Sequence, residues 1–90
     1  MRLSNRPNPF GQGTSIEYRL PAPAHVRITI FDLAGRRVRN LVDDPMPLGP
    51  HAKFWDGRTE GGQKAGSGTY VIKLSLDGKV VATRRTTLIR

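Results

Sequence analysis

The sequence of 90 residues contains no cysteine, so it can form neither a disulfide nor a thiolate metal site. It also has no apolar run near the roughly 20 residues that a membrane-spanning helix needs. The opening residues 1–7 lack the apolar centre of a signal peptide. An export signal, if the domain is exported, would have to come from elsewhere.

Acidic residues are scarce. Seven Asp and Glu stand against fifteen Lys and Arg, which gives a net charge of +8. Such a charge attracts anionic glycans, lipopolysaccharide or nucleic acid without specificity. No aromatic side chains alternate with the basic groups, as a stacking platform for single strands requires, and we therefore expect no specific nucleic-acid site. The basic groups are Arg36, Arg37 and Arg39, and Arg84, Arg85 and Arg90.

Uninterrupted helical patterns are also missing. Ten glycines and seven prolines divide the chain, and residues 1–90 read as one domain of short strands. Alternating apolar residues predict strands at Tyr70–Leu76, His25–Asp32 and Ser15–Leu20. With turns about every ten residues, we predict an all-β fold, an antiparallel immunoglobulin-like β-sandwich of six to seven short strands without a disulfide. Residues 1–14 are expected to form an extended lead-in.

Large aromatic residues mark the expected anchors of this core. Trp55 and Tyr70 flank a polar, glycine-rich loop, and Phe10 lies in the lead-in. Isolated aromatics carry much of the apolar area of a small core, so all three are interpreted as core residues rather than ligand platforms. The loop between them, residues 56–68, is expected to be exposed.

Turn signals predict two hairpins. Gly35 ends a short turn after Asp32, and the return strand 37–42 breaks strict alternation, which indicates a bulge or an edge position. The proline-rich residues 43–50 are expected to cross between sheets. Asp77-Gly78 favours a type I′ turn. An unbulged register across it pairs Leu74 with Val81, Ile72 with Thr83 and Tyr70 with Arg85, and leaves open whether Leu88 or Ile89 points inward.

Catalytic and metal-binding patterns are absent. Asp32, Asp56 and Asp77 occupy positions where turns favour a side-chain acceptor. His25 and His51 are single residues without a metal partner at suitable spacing. Glycine pairs such as Gly66 and Gly68 lack the context of a phosphate-binding loop. We therefore predict no catalytic, cofactor-binding or metal-binding residues, no cofactor and no enzymatic activity.

Several motifs follow one another in a recognisable order along the chain. They are Asn-Pro-Phe at 8–10, Asp-x-x-Gly-Arg at 32–36, Trp-Asp-Gly at 55–57, Gly68-x-Tyr70 and a basic last strand. Together they resemble the flagellar hook-capping-type immunoglobulin-like domain and its relative, the C-terminal type A sorting domain of the type IX secretion system. Gly35 and Gly68 are the structural glycines of these motifs.

The resemblance implies a non-catalytic C-terminal module of an exported protein at the surface of a Gram-negative bacterium, where secretion machinery is its partner. It further implies that the last strand is the recognition element. The alternative is a structural assembly subunit, such as a hook-cap-like domain or a filament protomer, which pairs with other subunits or with itself through strand edges. The recognition residues by resemblance are Ala82, Thr83, Arg84, Arg85, Thr86, Thr87, Leu88, Ile89 and Arg90.

Overall fold

A computed structural model describes all 90 residues and contains seven strands and no helix. It therefore has no helix that could span a membrane. The three strands predicted from alternation, 15–20, 25–32 and 70–76, are present, and each is one or two residues longer than predicted. The strands are β1 (Leu3–Arg6), β2 (Thr14–Leu20), β3 (Ala24–Asp32), β4 (Arg37–Met46), β5 (Gly49–Trp55), β6 (Gly68–Leu76) and β7 (Lys79–Leu88).

The strands form two sheets, one of three strands in the order β1-β2-β5 and one of four in the order β4-β3-β6-β7. Neighbouring strands are antiparallel throughout. The chain changes sheets between β2 and β3, between β4 and β5, and between β5 and β6. This confirms the predicted immunoglobulin-like sandwich, in which β1, β4, β5 and β7 are the edge strands.

The core lies between the sheets and consists of the inward residues of the alternating strands. Ile16 of β2, Ile28 of β3 and Ile72 of β6 have no exposed surface. Trp55 is also completely buried, so it is the core residue that the sequence predicted. The rest of the apolar core is Leu3, Phe10, Tyr18, Leu20, Val26, Ile30, Val42, Ala65, Tyr70, Leu74 and Leu88.

The β3–β4 hairpin has the predicted turn. Gly35 has φ +83°, and its N–H donates to the Asp32 carbonyl at 3.0 Å. The Asp32 N–H donates to the Arg36 carbonyl at 3.0 Å, which closes the hairpin. Pairing of β3 with β4 shifts register twice, and β4 lies at the edge of its sheet. Both the bulge and the edge position expected for residues 37–42 are present.

Two segments contain more strand than the sequence indicated. β4 continues through Pro45 to Met46, so the expected connection of residues 43–50 reduces to Pro47 and Leu48. An edge strand tolerates proline because the missing N–H faces away from the ladder. In the lead-in, Leu3–Arg6 is extended as expected and also pairs with β2 as an edge strand.

The last hairpin has the predicted turn but a different register. Asp77 and Gly78 have φ values of +50° and +84°, as a type I′ turn requires. A register shift follows immediately between Leu74 and Ser75, because Val81 is a bulge residue. The observed partners are Leu74 with Ala82, Ile72 with Arg84 and Tyr70 with Thr86, so the unbulged pairing of Leu74 with Val81, Ile72 with Thr83 and Tyr70 with Arg85 is wrong.

This bulge resolves the direction of the last side chains. A shift of one residue moves every following side chain to the other face. Thr86 and Leu88 therefore point inward, with 1% and 0% of their surface exposed, whereas Ile89 is 58% exposed. The bulge keeps Arg85 out of the core and places the apolar Leu88 within it.

The Asp32 carboxylate holds the β3–β4 turn and generates a prediction about pH. It accepts N–H groups from Ala34 and Arg36 and the Arg36 guanidinium at 2.9–3.0 Å. The backbone N–H of Arg36 is the main reason that the pKa of Asp32 lies below its ordinary value. Since the native pKa is lowered, this carboxylate stabilises the fold above its unfolded-state pKa, and the stabilisation is lost as pH falls through the native pKa.

We expect Asp32→Asn to lower the urea midpoint of unfolding at about pH 7 and to reduce the loss of stability between about pH 5 and about pH 2. Fluorescence of Trp55, which is completely buried, reports unfolding. Asp44→Asn is the control, because the exposed Asp44 side chain forms no hydrogen bond or ion pair in the structure. An unchanged acid transition in Asp32→Asn would contradict the role assigned to this carboxylate.

Candidate functional site

The predicted recognition residues lie along one edge of the four-stranded sheet. β7 pairs only with β6, so its other side faces outward from the sheet. The nine residues divide between two faces. Thr83 and Arg85 are exposed and lie on the outer face of the sheet, whereas Thr86 and Leu88 are buried. The remaining members are Ala82 and Arg84 on the inner face, Thr87 on the outer face, and Ile89 and Arg90 after the strand.

The backbone of Phe10 covers the end of this edge. Its N–H donates to the Thr87 carbonyl and its carbonyl accepts from the Ile89 N–H, both at 2.9 Å. Phe10 thereby forms a parallel bridge with Leu88. The lead-in consequently acts as a very short additional strand beside the final residues of β7.

The Asn8 side chain continues this cover along β7. Its Oδ1 accepts the Thr87 N–H at 3.1 Å and the Thr86 hydroxyl at 3.3 Å. Its Nδ2 lies 3.4 Å from the Arg85 carbonyl. The backbone groups of β7 that point away from β6 are thus paired from the Arg85 carbonyl to the Ile89 N–H. The asparagine and phenylalanine of the Asn-Pro-Phe motif are the groups that pair them.

A buried amide connects the lead-in to both sheets. Asn5 is 4% exposed, and its Nδ2 donates to the hydroxyls of Thr14 at 3.1 Å and Thr86 at 2.7 Å. Its Oδ1 accepts from Arg84 Nε at 2.8 Å. The Thr14 hydroxyl in turn donates a hydrogen bond to the Pro7 carbonyl at 2.9 Å. No buried side-chain nitrogen or oxygen lacks a partner, so this network is fully satisfied.

The three aromatic anchors form one cluster beneath the same end of the domain. The Phe10 and Trp55 ring centroids are 5.5 Å apart, and those of Trp55 and Tyr70 are 5.4 Å apart with the rings edge-on. The Tyr70 hydroxyl donates to the Gly66 carbonyl at 2.6 Å. A tyrosine at the start of this strand that bonds a few residues upstream is the tyrosine corner of immunoglobulin-like domains. Gly68 begins the strand with φ +155°.

Arg90 is anchored to the loop between β5 and β6. Its Nε and Nη2 donate to the carbonyls of Ala65 and Gly57 at 2.6 Å each, and its N–H donates to the Ser67 hydroxyl. The sequence did not indicate these contacts or the role of Asn5. Asn8 had a signal, because it opens the Asn-Pro-Phe motif, but its partners depend on the bulged register of β7.

Two acidic side chains away from β7 form ion pairs with basic neighbours. Asp43 contacts His25 and Arg27, and the hydrogen bond from His25 is the main cause that lowers the pKa of Asp43. Asp56 pairs with Arg39 at 2.8 Å. No three or more His, Asp or Glu residues come together in a way that would hold a metal ion.

The two strands of the last hairpin, by contrast, carry only basic charges, and its one acidic residue, Asp77, lies in the turn and accepts the His25 N–H. Strands β6 and β7 contain no Asp or Glu, and none of the five ion pairs of the domain involves either strand. The Lys73 ammonium lies 4.8 Å from the centre of the Phe31 ring, and Arg84 binds the neutral amide of Asn5. The cations of this hairpin are Lys73, Lys79, Arg84 and Arg85.

Residues 4–82 match the model of the FlgD Ig-like domain. The chain belongs to this family. The match covers most of the sandwich and ends inside β7, so it does not include most of the predicted recognition residues. No curated protein sequence matches the chain.

Solved structures share the fold at low sequence identity. A domain in dimeric latent PorU from Porphyromonas gingivalis superimposes with a TM-score of 0.77 at 19% identity, over 97% of this chain and 9% of PorU. FlgD from P. aeruginosa has a TM-score of 0.63 at 23% identity, over 83% of this chain and 59% of FlgD. PorZ, a bacterial surface component of the type IX secretion system of P. gingivalis, has a TM-score of 0.63 at 22% identity, over 98% of this chain and 11% of PorZ. This chain thus spans only a small part of PorU and PorZ.

The Asn5 network yields a stability prediction. Asn5→Ala leaves the hydroxyls of Thr14 and Thr86 without their donor and Arg84 without its acceptor. We expect unfolding to require about 1–3 kcal/mol less free energy, the usual cost of unpaired buried polar groups, as measured by urea denaturation. Ser4→Ala, on the opposite face of β1 and without a side-chain hydrogen bond, is the control. Equal midpoints for the two variants would show that the network does not stabilise the fold.

Proposed function

We propose that this immunoglobulin-like module is non-catalytic and serves as a C-terminal sorting or cell-surface attachment domain of an exported bacterial protein. In this role, outer-membrane secretion machinery recognises the strand Ala82–Arg90. The carrier protein would reach the extracellular side or the surface of a Gram-negative bacterium. The edge position of β7 is the observation that carries the proposal, because it presents the recognition strand at the boundary of the domain.

Two further findings support this role. Domains of the same fold occur in PorU and in PorZ, and the latter is a surface component of the type IX secretion system. The chain corresponds to about a tenth of each of those proteins, as expected for an appended module.

An edge strand is suited to recognition because its outward backbone groups and outer side chains are both accessible. In β7 the residues that face outward are chemically separate from those that hold the core. Thr83 and Arg85 are exposed, so they are available to a partner without disturbing the fold. Thr86 and Leu88 are buried and serve packing. We therefore assign recognition to the side chains of β7 on the outer face of the sheet.

This division determines how the proposal is tested. Deleting residues 83–90 would remove the buried Leu88 and Thr86 together with the contacts of Arg90, so a loss of export would also follow from unfolding. Substitutions on the outer face avoid this problem.

We expect Thr83→Glu with Arg85→Glu, in a carrier fused to the domain, to reduce export by roughly tenfold or more, as for central residues of an interface. The experiment measures the carrier in the medium and on the surface of a bacterium with a type IX secretion system. Arg19→Glu with Ala52→Glu makes the same change in charge on exposed residues of the other sheet and should leave export unchanged. Equal export by both variants would overturn the proposal.

The second candidate is a structural assembly subunit, and family membership with FlgD favours it. Subunits that pair head to tail through strand edges form open fibres. This candidate predicts that the mass from light scattering grows as the concentration of the purified chain rises, and that negative-stain images show fibres. A constant monomer mass at high concentration would exclude self-assembly and leave the sorting role.

A further inference from the structure

The edge of β7 is only half covered. The nine backbone hydrogen bonds outside the strand ladders include none to residues 79–84, and no side chain bonds to their backbone. The groups of Thr87 that point away from β6 are bound by Asn8 and Phe10. Because this direction alternates every second residue, the N–H and carbonyl of Thr83 also point away from β6. They have no partner in the domain.

We propose that this open edge, residues Lys79–Arg84, binds an extended acidic segment of another protein as an added strand. The inference names the kind of partner for the recognition strand and in that sense rests on the proposed function. Strand addition combines backbone hydrogen bonds, which supply affinity, with side-chain contacts on alternate positions, which supply specificity.

The covered half of the edge shows that β7 accepts a neighbouring backbone. Phe10 already lies beside Leu88 as a parallel partner with two hydrogen bonds of 2.9 Å. Immediately before this covered half, the same strand remains accessible, with Thr83 exposed and Val80 53% exposed. The bonds of the lead-in to the β7 backbone end at the Arg85 carbonyl, so a partner bonded to the Thr83 backbone would not compete for them.

Charge identifies the partner as acidic. Lys79 is the first residue of the open edge and Arg85 follows its last; both are exposed, and Lys73 lies opposite Thr83 on β6. None of them has an acidic partner within the domain. Opposite charges on adjacent strands stabilise their pairing, and like charges oppose it. Carboxylates on a segment beside Thr83 would complement these three cations.

The same charges disfavour a second copy of this chain at this edge. Two β7 strands paired across a twofold axis would bring the cations of both hairpins together, with no acidic residue in either β6 or β7 to compensate. The Val81 bulge shortens the regular stretch that remains, and bulges are a common protection of edges against self-pairing. A short edge of this kind needs charge as well as backbone bonds to hold its partner.

The test uses the ¹⁵N-labelled 90-residue chain and a peptide of about eight residues, a typical strand length, in which Glu alternates with Val. Two control peptides keep the length. One has Lys in place of Glu, and the other keeps Glu but is N-methylated at every second residue, which removes the donors that would pair with β7. We expect the acidic peptide alone to shift the amide signals of residues 82–84 and to slow exchange of the Thr83 N–H.

Equal binding of the N-methylated peptide would overturn the proposal, because contact would then be electrostatic without an added strand. Signals that move at the β4 edge instead, or a loss of the Phe10 and Ile89 protection, would overturn the assignment to the open half of β7. No binding of the acidic peptide up to millimolar concentration would overturn it as well.

Two variants sharpen the result. Thr83→Pro removes the outward N–H, a substitution that an edge strand tolerates, and should weaken binding of the acidic peptide about fivefold. Lys79→Glu with Arg85→Glu reverses the charges at the two ends of the open edge and leaves the backbone groups unchanged, and it should weaken binding of the acidic peptide by about tenfold or more. Undiminished affinity in the folded charge variant would refute the acidic preference. Because the peptide assay uses the isolated domain, its outcome is independent of whether the module directs export.

Discussion

A single buried amide determines where the first and last strands of this domain meet. Asn5 uses both of its donors and its acceptor, on Thr14, Thr86 and Arg84. A buried polar group of this kind is favourable only when every bond is made, and the requirement specifies one arrangement of β1 against β7. The following residues are then carried onto the edge of β7, where Asn8 and Phe10 bind. The binding of Asn8 and Phe10 to the edge of β7 thus depends on the hydrogen bonds that Asn5 makes earlier in the chain.

The consequence is an edge with two different halves. From the Arg85 carbonyl to the Ile89 N–H the outward backbone groups are paired within the domain, while those of residues 79–84 are not. Free edges invite uncontrolled pairing between chains, and this domain limits the hazard in three ways: the lead-in, the Val81 bulge and two hairpin strands that carry only positive charges. The sites of accessible backbone and of unbalanced charge therefore coincide, and this coincidence gives the open half its selectivity for acidic segments.

Alternation and turn chemistry were sufficient to predict most of the fold. The period-two patterns indicated the strands that contain the core residues Ile16, Ile28 and Ile72, and Gly35 and Gly78 marked their turns, because these signals act within a few residues. The register of β7 was not predictable, since the Val81 bulge reflects the fit of the whole strand against the opposite sheet. Arg85 would otherwise have faced the core. The Asn5 network was also missed, because it joins residues about 80 positions apart and depends on that register.

The structure also separates two roles that the sequence placed in one strand. Ala82–Arg90 was interpreted as a single recognition element, yet Thr86 and Leu88 are as buried as the isoleucines of the core, and Arg90 fastens the strand end to the β5–β6 loop. All three hold the strand in place, and the buried Thr86 and Leu88 cannot contact a partner while the domain is folded. Selective contact must come from outward groups, of which Thr83 and Arg85 are the most accessible. A strand whose inner residues are needed for folding presents its outer residues only when the domain has folded, so recognition through this edge would discriminate folded modules from unfolded ones.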